Sequence, residues 1–510
     1  MSAGSGDRRW LVLLVLSGAL ALISLDNTIV NVALPRLQED LGATTAQLQW
    51  VVDAYSVLFA GSLLLAGSLG DRFGRRRMLL SGLVVFMAGS LGAAMMTDVN
   101  GLTACRAVMG VGAAFIMPST LSILVQVFTE PRERAKAIGV WAAVAGVGVA
   151  IGPIIGGVLL EHFNWQAIFW VNPPLALAAI IATMLLVPES LDASRPRLDI
   201  RGAMLSSAGL IALVLTVIDL PDAGVSIGTL STGIAAIALL TGFVWWERRA
   251  PRPLLPMSLF GNRLFVVSVI CVGLVYFALM GAMFFLPQFL QLVQGMTPLE
   301  SGLSVLPGAG GLLLASLFSA GLAERIGSRR TVVTGLGLVT AGLLSMSFLS
   351  VSSPYPFIGV SLGLMGIGLG LTLPQATNGV LSTVPRERSG MGSAVNDSIG
   401  ELGGSFGVAV LGALLSITYR GTIDEAIAGA GDAIREVPAP ALDAVRESLA
   451  SASLAIARFP QDVMAPAQQV AGEAFVTGMG WALLAGALVT MGGAALAWRW
   501  FPDRVAPTAE

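Results

Sequence analysis

Four ionisable side chains lie within long apolar stretches of this 510-residue sequence: Asp26, Asp53, Arg106 and Glu401. A charge at membrane depth is costly unless it is paired or hydrated, so such residues are candidates for function. Asp26, Asp53 and Arg106 lie at similar depths in three different stretches, and we expect them to share one cavity. In that cavity Arg106 would keep a carboxylate ionised until a proton or another cation competes for it.

Glu401 belongs to a polar stripe on an apolar segment, because Asp397, Glu401 and Ser405 recur every fourth residue. Burial favours the neutral form of a carboxyl group, which makes Glu401 a candidate proton carrier near mid-membrane. The competing interpretation is that the buried charges form static ion pairs that hold helices together. Arg106 is the only basic residue in the interior of the apolar stretches, so it is insufficient to neutralise every acid there.

The elements that would position these residues are membrane-spanning helices. Hydrophobic residues make up 55% of the sequence and charged residues 12%, about half of the charged share usual in soluble proteins. A spanning helix needs roughly 20 apolar residues. We therefore predict an all-α membrane fold with fourteen spans, at residues 10–34, 47–70, 77–96, 101–127, 135–160, 165–187, 201–220, 227–246, 264–290, 299–322, 331–350, 356–381, 390–418 and 473–500.

The basic residues predict the orientation of these spans. With the N-terminus in the cytoplasm, 23 of the 29 Lys and Arg residues fall in cytoplasmic segments, five fall outside and Arg106 lies inside a span. This distribution follows the positive-inside rule and favours an even number of spans. We therefore predict a multi-pass protein of the cell (inner) membrane with both termini in the cytoplasm.

The sequence also repeats itself weakly. The segment Gly70–Arg77 reappears in altered form as Ala323–Arg330, and Pro131–Arg134 recurs unchanged as Pro385–Arg388. Both pairs of segments are separated by nearly the same distance, about 253 residues. Two matches at one offset indicate duplicated halves, as in transporters built from parallel repeats.

The repeat predicts a division of the chain into five parts. These are an N-terminal six-helix bundle (1–190), an inserted helix pair 7–8 with cytoplasmic linkers (191–262), helices 9–13 of a C-terminal bundle (263–419), an extracytoplasmic loop with amphipathic segments (420–471), and helix 14 with a cytoplasmic tail (472–510).

Two short patterns have physical features that suit a conformational switch. Asp71 and Arg72 end a helix, where a carboxylate can cap the positive terminus of a neighbouring helix and pair with arginine. Gly74 permits a tight turn. Three glycines spaced every four residues offer a side-chain-free helix face, and a proline there kinks the helix. The expected gating residues are Asp71, Arg72, Gly74, Arg75, Gly148, Gly152, Pro153 and Gly156.

We expect an apolar substrate cavity edged by aromatic, methionine and a few polar side chains. Aromatic and methionine side chains in spans more often pack in the core or face lipid, so this assignment competes with a structural one. The candidate contacts are Asn31, Trp50, Tyr55, Met117, Gln375, Asn378 and Asp397.

The composition argues against several other classes of protein. A net charge of −2 provides no basic excess for binding nucleic acid. Cys105 and Cys271 lie in apolar runs and support neither a disulfide framework nor a metal site. With a single histidine and no nucleotide-binding loop, we expect neither an enzyme, a catalytic residue, a bound metal nor a cofactor. The expected partners are a lipid bilayer, protons and a small-molecule substrate, and the chain is expected to be a monomer.

Four segments resemble the major facilitator superfamily, specifically its fourteen-helix drug:proton antiporter branch. Leu25–Pro35 is similar to the span-1 signature of that branch, and Gly67–Arg76 is similar to the superfamily's loop 2–3 motif. Leu102–Gly112 is similar to its span-4 motif, and Gly148–Gly157 is similar to the span-5 motif of exporters.

This resemblance implies two six-helix bundles that rock about a central cavity, two extra inserted helices, and proton entry coupled to drug exit. It also implies that the four buried charges serve protonation and coupling. Some exporters of dications in this branch carry an acid in span 10, where this sequence has only Glu300 at the outer end, which favours monocationic or neutral amphiphiles. The alternative is a specific exporter or importer of one metabolite with the same fold.

Overall fold

A computed structural model describes residues 4–41, 43, 45–190, 199–223, 226–251, 253–385, 388–429 and 461–504, together with residues 442, 445, 446, 449 and 452. Within these residues the chain forms fourteen long helices and no strand, which confirms the predicted all-α fold. The helices are α1 (Gly4–Leu41), α2 (Thr45–Phe73), α3 (Arg75–Met95), α4 (Val99–Val127), α5 (Pro131–His162), α6 (Ala167–Trp170 and Asn172–Leu186), α7 (Ile200–Ala223), α8 (Ile227–Glu247), α9 (Arg263–Gln288), α10 (Leu306–Ile326), α11 (Ser328–Met346), α12 (Tyr355–Ser382), α13 (Ser389–Gly429) and α14 (Gln461–Trp500).

Thirteen of these helices, or segments of them, are long and apolar enough to cross a membrane. The remaining one, α11, has 19 residues and carries Arg329 and Arg330 in its first turn. It packs between α12 and α14, so part of its surface faces protein. A π-helical turn (Phe289–Val293) continues α9, and a short helix (Pro298–Ser304) precedes α10.

Glycines bring the helices of the first half into close contact. A Cβ atom added to Gly112 of α4 would lie 2.6 Å from the backbone nitrogen of Phe86 on α3. On α5, the glycine face packs against α1, because a Cβ at Gly148 would lie 2.8 Å from the Ser24 Cβ and one at Gly156 would lie 2.9 Å from Ile29. A side chain at these positions would separate the helices, so the small residues determine how closely α1, α3, α4 and α5 approach.

The two halves meet mainly where α5 packs on α10 and α2 packs on α13, and α4 also contacts α13 and α5 contacts α12. At the first junction a Cβ on Gly139 would lie 2.5 Å from the Ser316 carbonyl oxygen. At the second, α7 packs beside α2 and α13, and buried Val57, Ala60 and Val214 form its apolar contact with α2. Helix α8 packs on α7 and leaves apolar side chains such as Ile237 exposed, as a lipid-facing helix does.

The sequence repeat reappears as a repeated backbone turn. Gly74 and Gly327 are 253 residues apart (327 minus 74), and both have positive φ angles, of 108° and 92°. Only glycine adopts this conformation without strain. After the first turn the Arg75 N–H donates to the Ser190 carbonyl at 2.9 Å, and after the second the Ser328 N–H donates to the Asp503 carbonyl at 2.8 Å. In each half, therefore, the chain that follows the last helix returns to the same turn.

Helices α13 and α14 are longer than their apolar segments. They contain 41 and 40 residues, which at 1.5 Å per residue is about twice the roughly 30 Å of a hydrocarbon core. Their ends extend into the predicted loop 420–471, where the buried Tyr419 hydroxyl donates to the Val445 carbonyl at 2.7 Å. Half of the residues of that predicted loop lie outside the described part of the chain.

The glycine face of α5 can be tested by adding volume on one side of the helix. A Cβ at Gly152 would overlap the Thr28 hydroxyl of α1, whereas a Cβ at Gly157 meets no atom within 4 Å. We expect Gly152→Val to destabilise the protein by about 1–3 kcal/mol, because α1 and α5 must separate. Thermal unfolding in detergent measures the change, and Gly157→Val is the matched control. Equal melting temperatures for the two variants would contradict this packing.

Candidate functional site

A fully buried ion pair joins α1 to α4. The Arg106 Nη1 lies 2.6 Å from Asp26 Oδ2, and neither side chain is exposed. Arg106 also donates from Nε to the Val51 carbonyl at 3.2 Å, and its guanidinium carbon lies 4.4 Å from the centre of the Tyr55 ring. One turn beyond Arg106, Gly110 lies directly against the Tyr55 backbone, which lets α2 approach α4. The structure therefore brings Asp26 and Arg106 together, as we expected from their depth.

The second oxygen of Asp26 has a different partner. The Asn172 amide nitrogen donates to Asp26 Oδ1 at 2.7 Å and to the Ser90 hydroxyl at 3.0 Å, and that hydroxyl donates to the Phe169 carbonyl at 2.8 Å. Asn172 and Ser90 are fully buried. Our sequence analysis missed both residues, because neither is charged and neither lies in one of the four segments that resemble family motifs. The signal that could have found Asn172 is its place before two prolines, where α6 is interrupted.

The remaining predicted acids lie on α2 and α13. Asp53 is half-buried on α2, two residues beyond Val51. Glu401 is half-buried on α13 and interacts electrostatically with Tyr55, which also interacts with Asp26 and Arg106. Tyr55 therefore lies beside the ion pair of the first half and within electrostatic range of the acid of the second half.

Asp397 is buried one turn before Glu401 on α13. Its Oδ1 accepts from the Asn396 amide at 3.1 Å, and both acids interact electrostatically with Tyr276 of α9. The polar stripe predicted on α13 thus lies beside α9.

The predicted substrate contacts fall into different environments. Gln375 donates to the Ser319 hydroxyl at 3.1 Å, so it belongs to the contact between α10 and α12. Asn378 is buried, Met117 is half-buried and Trp50 is 46% exposed. The side chains of two further predicted residues, Asn31 and Pro153, lie outside the described part of the structure.

The buried carboxylate of Asp71 joins the two halves. It lies at the face that carries Arg72, Arg75, Arg132 and Arg325, which we call the basic face. Asp71, only 4% exposed, accepts from Arg75 at 2.7 and 3.1 Å. It also accepts from the backbone N–H groups of Gly390 at 2.9 Å and Met391 at 3.1 Å, in the first turn of α13. This is the helix capping that the sequence suggested, and the arginine that pairs with Asp71 is Arg75.

Other charges of the basic face are more exposed. Arg72 lies 5.2 Å from the centre of the Phe73 ring. Glu324, which corresponds to Asp71 in the repeat, lies 3.1 Å from Arg132 of the other half, but the two side chains are 48% and 77% exposed. Exposed ion pairs contribute little to stability, so the capping by Asp71 is the stronger of the two contacts.

Residues 16–408 match the family model of the Major Facilitator Superfamily. The chain belongs to this superfamily. Its fold is similar to that of the superfamily's proton:xylose symporter XylE, whose structure has been determined with bound 6-bromo-6-deoxy-D-glucose. The match covers 99% of this chain and 98% of the XylE chain, with a TM-score of 0.65 and 12% sequence identity.

Two curated relatives in the superfamily are similar over nearly their whole length. The multidrug resistance protein Stp of Mycobacterium tuberculosis (strain CDC 1551 / Oshkosh) is 34% identical over 98% of this chain and 93% of its own. The multidrug efflux pump LfrA of Mycolicibacterium smegmatis is 34% identical over 92% of this chain and 96% of its own.

The buried pair should show strong non-additivity. We expect Arg106→Met to cost about 3–5 kcal/mol of stability, because it leaves the Asp26 carboxylate buried without its cation. Adding Asp26→Asn should restore much of this loss, since no charge then remains. Thermal unfolding of both single variants and the double variant provides the cycle. A double variant that is as unstable as the sum of the two single variants would contradict a direct pair.

The cap on α13 predicts a change in accessibility at the basic face. We expect Asp71→Ala to expose α13, because the Gly390 and Met391 N–H groups lose their partner. The reporter is Ser393→Cys, at a fully buried position, in protein whose Cys105 and Cys271 are replaced by alanine. Maleimide should label the reporter faster in Asp71→Ala and at an unchanged rate in the exposed-pair control Glu324→Ala. Equal labelling rates of the reporter in Asp71→Ala and in Glu324→Ala would contradict a capping contact that is stronger than the exposed ion pair.

Proposed function

We propose that this protein is a proton-coupled antiporter that exports small amphipathic drugs or antibiotics, monocationic or neutral, across the cytoplasmic membrane by alternating access. The observation that carries the proposal is the fully buried contact of Asp26 with Arg106. The names of Stp and LfrA support drugs as the substrate class. In this proposal both termini lie in the cytoplasm, the basic face is the cytoplasmic face, and the chain functions as a monomer.

The ion pair provides an acceptor for a proton. Inside a low-dielectric core the attraction between Asp26 and Arg106 is strong, and it is lost when Asp26 becomes neutral. A proton that reaches Asp26 therefore weakens the link between α1 and α4. Arg106 then retains the Val51 carbonyl and the face of Tyr55, and can reorient without leaving the buried cluster.

Helix α13 connects this event to the basic face. Its first turn is capped by Asp71, and about three turns later it carries Glu401, which interacts with Tyr55 beside Arg106. Because α13 is one continuous helix, a shift at Glu401 moves the capped end as well. We propose that Asp71, Arg72, Gly74 and Arg75 act as the cytoplasmic gate.

The α5 glycines are the second part of the proposed gating machinery. Gly148, Gly152 and Gly156 lie against α1, which carries Asp26. A side-chain-free contact lets α1 slide on α5 when the charge on Asp26 changes. Asp53 and Glu401 complete the proposed proton-coupling set, and the proposed cavity is bounded by the predicted substrate contacts.

Transport by purified protein in liposomes tests the coupling. With ethidium as a monocationic probe, we expect Asp26→Asn and Glu401→Gln to abolish probe-driven proton release, because each removes a carboxyl that takes up or gives back the proton. Glu473→Gln, which neutralises an exposed acid on α14, is the matched control and should transport at the wild-type rate. Wild-type exchange in both core variants would refute the proposal.

The energy source is tested in the same protein in cells. Dissipating the proton gradient should stop efflux of the probe, while depleting ATP with the gradient held constant should not. Efflux that follows ATP instead would contradict proton coupling. A growth panel against dyes, quaternary ammonium compounds and antibiotics separates a multidrug exporter from a transporter of one metabolite.

A further inference from the structure

The hydrogen bonds around Asn172 determine which way its amide points. The Phe169 carbonyl can only accept, so the single O–H of Ser90 is committed to it. Ser90 must therefore accept from Asn172, and the Asn172 atom 3.0 Å away must be the NH2 group. The same NH2 group has a second hydrogen, which it gives to Asp26 Oδ1 at 2.7 Å.

The interruption of α6 explains why the Phe169 carbonyl is available. In a continuous helix this carbonyl would accept from the N–H of residue 173. That residue is Pro173, which has no N–H to donate. The proline thus leaves this carbonyl, which also accepts from the Val171 N–H, free to accept from Ser90, and Ser90 in turn holds the Asn172 amide with its donor towards Asp26.

The two oxygens of Asp26 are consequently not equivalent. Oδ1 accepts from a neutral amide that cannot leave without breaking the Ser90 contact, and Oδ2 accepts from Arg106 at 2.6 Å. A proton placed on Oδ1 would have to compete with a fixed donor. A proton placed on Oδ2 takes the place of the Arg106 donor, and the attraction of Arg106 to Asp26 is lost when the carboxylate becomes neutral.

We propose that Asn172, oriented by Ser90, is a positioning residue that reserves Oδ1 and directs the incoming proton to Oδ2, the atom held by Arg106. Protonation of Asp26 and its contact with Arg106 are then mutually exclusive at one atom. The inference rests on the proposed function, because it specifies the atom at which the coupling proton binds. Among the described residues, Arg106 of α4 contacts Asp26, Tyr55 of α2 faces Arg106, and both Asp26 and the Glu401 of α13 act electrostatically on Tyr55. Ser90 of α3 and Asn172 of α6 belong to the same cluster, and the α5 glycines pack on the neighbouring residues of α1.

Infrared spectroscopy of the purified full-length protein tests which oxygen carries the proton. Difference spectra recorded on lowering the pH contain the C=O stretching band of protonated Asp26, identified as the band that Asp26→Asn lacks. If the proton is on Oδ2, the C=O oxygen is Oδ1, and its hydrogen bond from Asn172 lowers the wavenumber of the band. We therefore expect Asn172→Leu to move the band to higher wavenumber.

Three further variants separate this role from a structural one. Ser90→Ala should broaden the band and move it upwards, because the amide loses its fixed orientation, and Ser90→Thr should return it to the wild-type position. Thr183→Val, which removes a buried hydroxyl from α6, the helix that carries Asn172, should leave the band unmoved. If Asn172→Leu does not fold, the comparison of Ser90→Ala with Ser90→Thr decides the question.

The outcomes distinguish failure of this inference from failure of the proposed function. An Asp26 band that is present in the wild type and keeps its wavenumber in Asn172→Leu and Ser90→Ala overturns the inference alone. A wild-type protein with no Asp26 band at any pH overturns the proposed function, because Asp26 then never takes up a proton.

Discussion

A carboxylate and a guanidinium removed completely from water form the interaction on which this structure depends. Asp26 and Arg106 are buried among apolar helices, where an unpaired charge would be strongly unfavourable. Their mutual attraction holds α1 against α4, and the Asn172 amide extends the contact to α3 and α6. Four helices of the first half therefore meet around a single buried carboxylate.

The contrast between two carboxylates shows how position determines role. Asp26 lies deep in one half and binds Arg106 and Asn172 of that half, whereas Asp71 lies at the basic face and caps a helix of the other half. The contacts of Asp26 with Arg106 and Asn172 therefore lie within the first half. Asp71 joins the two halves, and the helix that it caps also carries Glu401, which acts electrostatically on Tyr55.

Fourteen helices and the meeting of Asp26 with Arg106 could be predicted, because apolar length and buried charge are visible in a sequence. The link from Asn172 to Ser90 could not, since an amide and a hydroxyl differ little from ordinary packing residues until their neighbours are known. The exact ends of α13 and α14 could not be predicted either, because their residues beyond the hydrocarbon core are polar enough to resemble a loop. Tyr419 is nevertheless buried near the end of α13, where its hydroxyl donates to the Val445 carbonyl.

The return of the chain to the Gly74 turn has a consequence for biosynthesis. Because the Ser190 carbonyl, which follows α6, accepts a hydrogen bond from the Arg75 N–H, the first six helices can pack together before the remaining helices have been synthesised. Asp71 can pair with Arg75 at that stage, but its partners Gly390 and Met391 are made some 200 residues after Ser190, roughly ten or more seconds later at ordinary elongation rates. Until then Asp71 lies at the edge of the nascent first half in contact with water, and it can cap α13 when that helix enters the membrane.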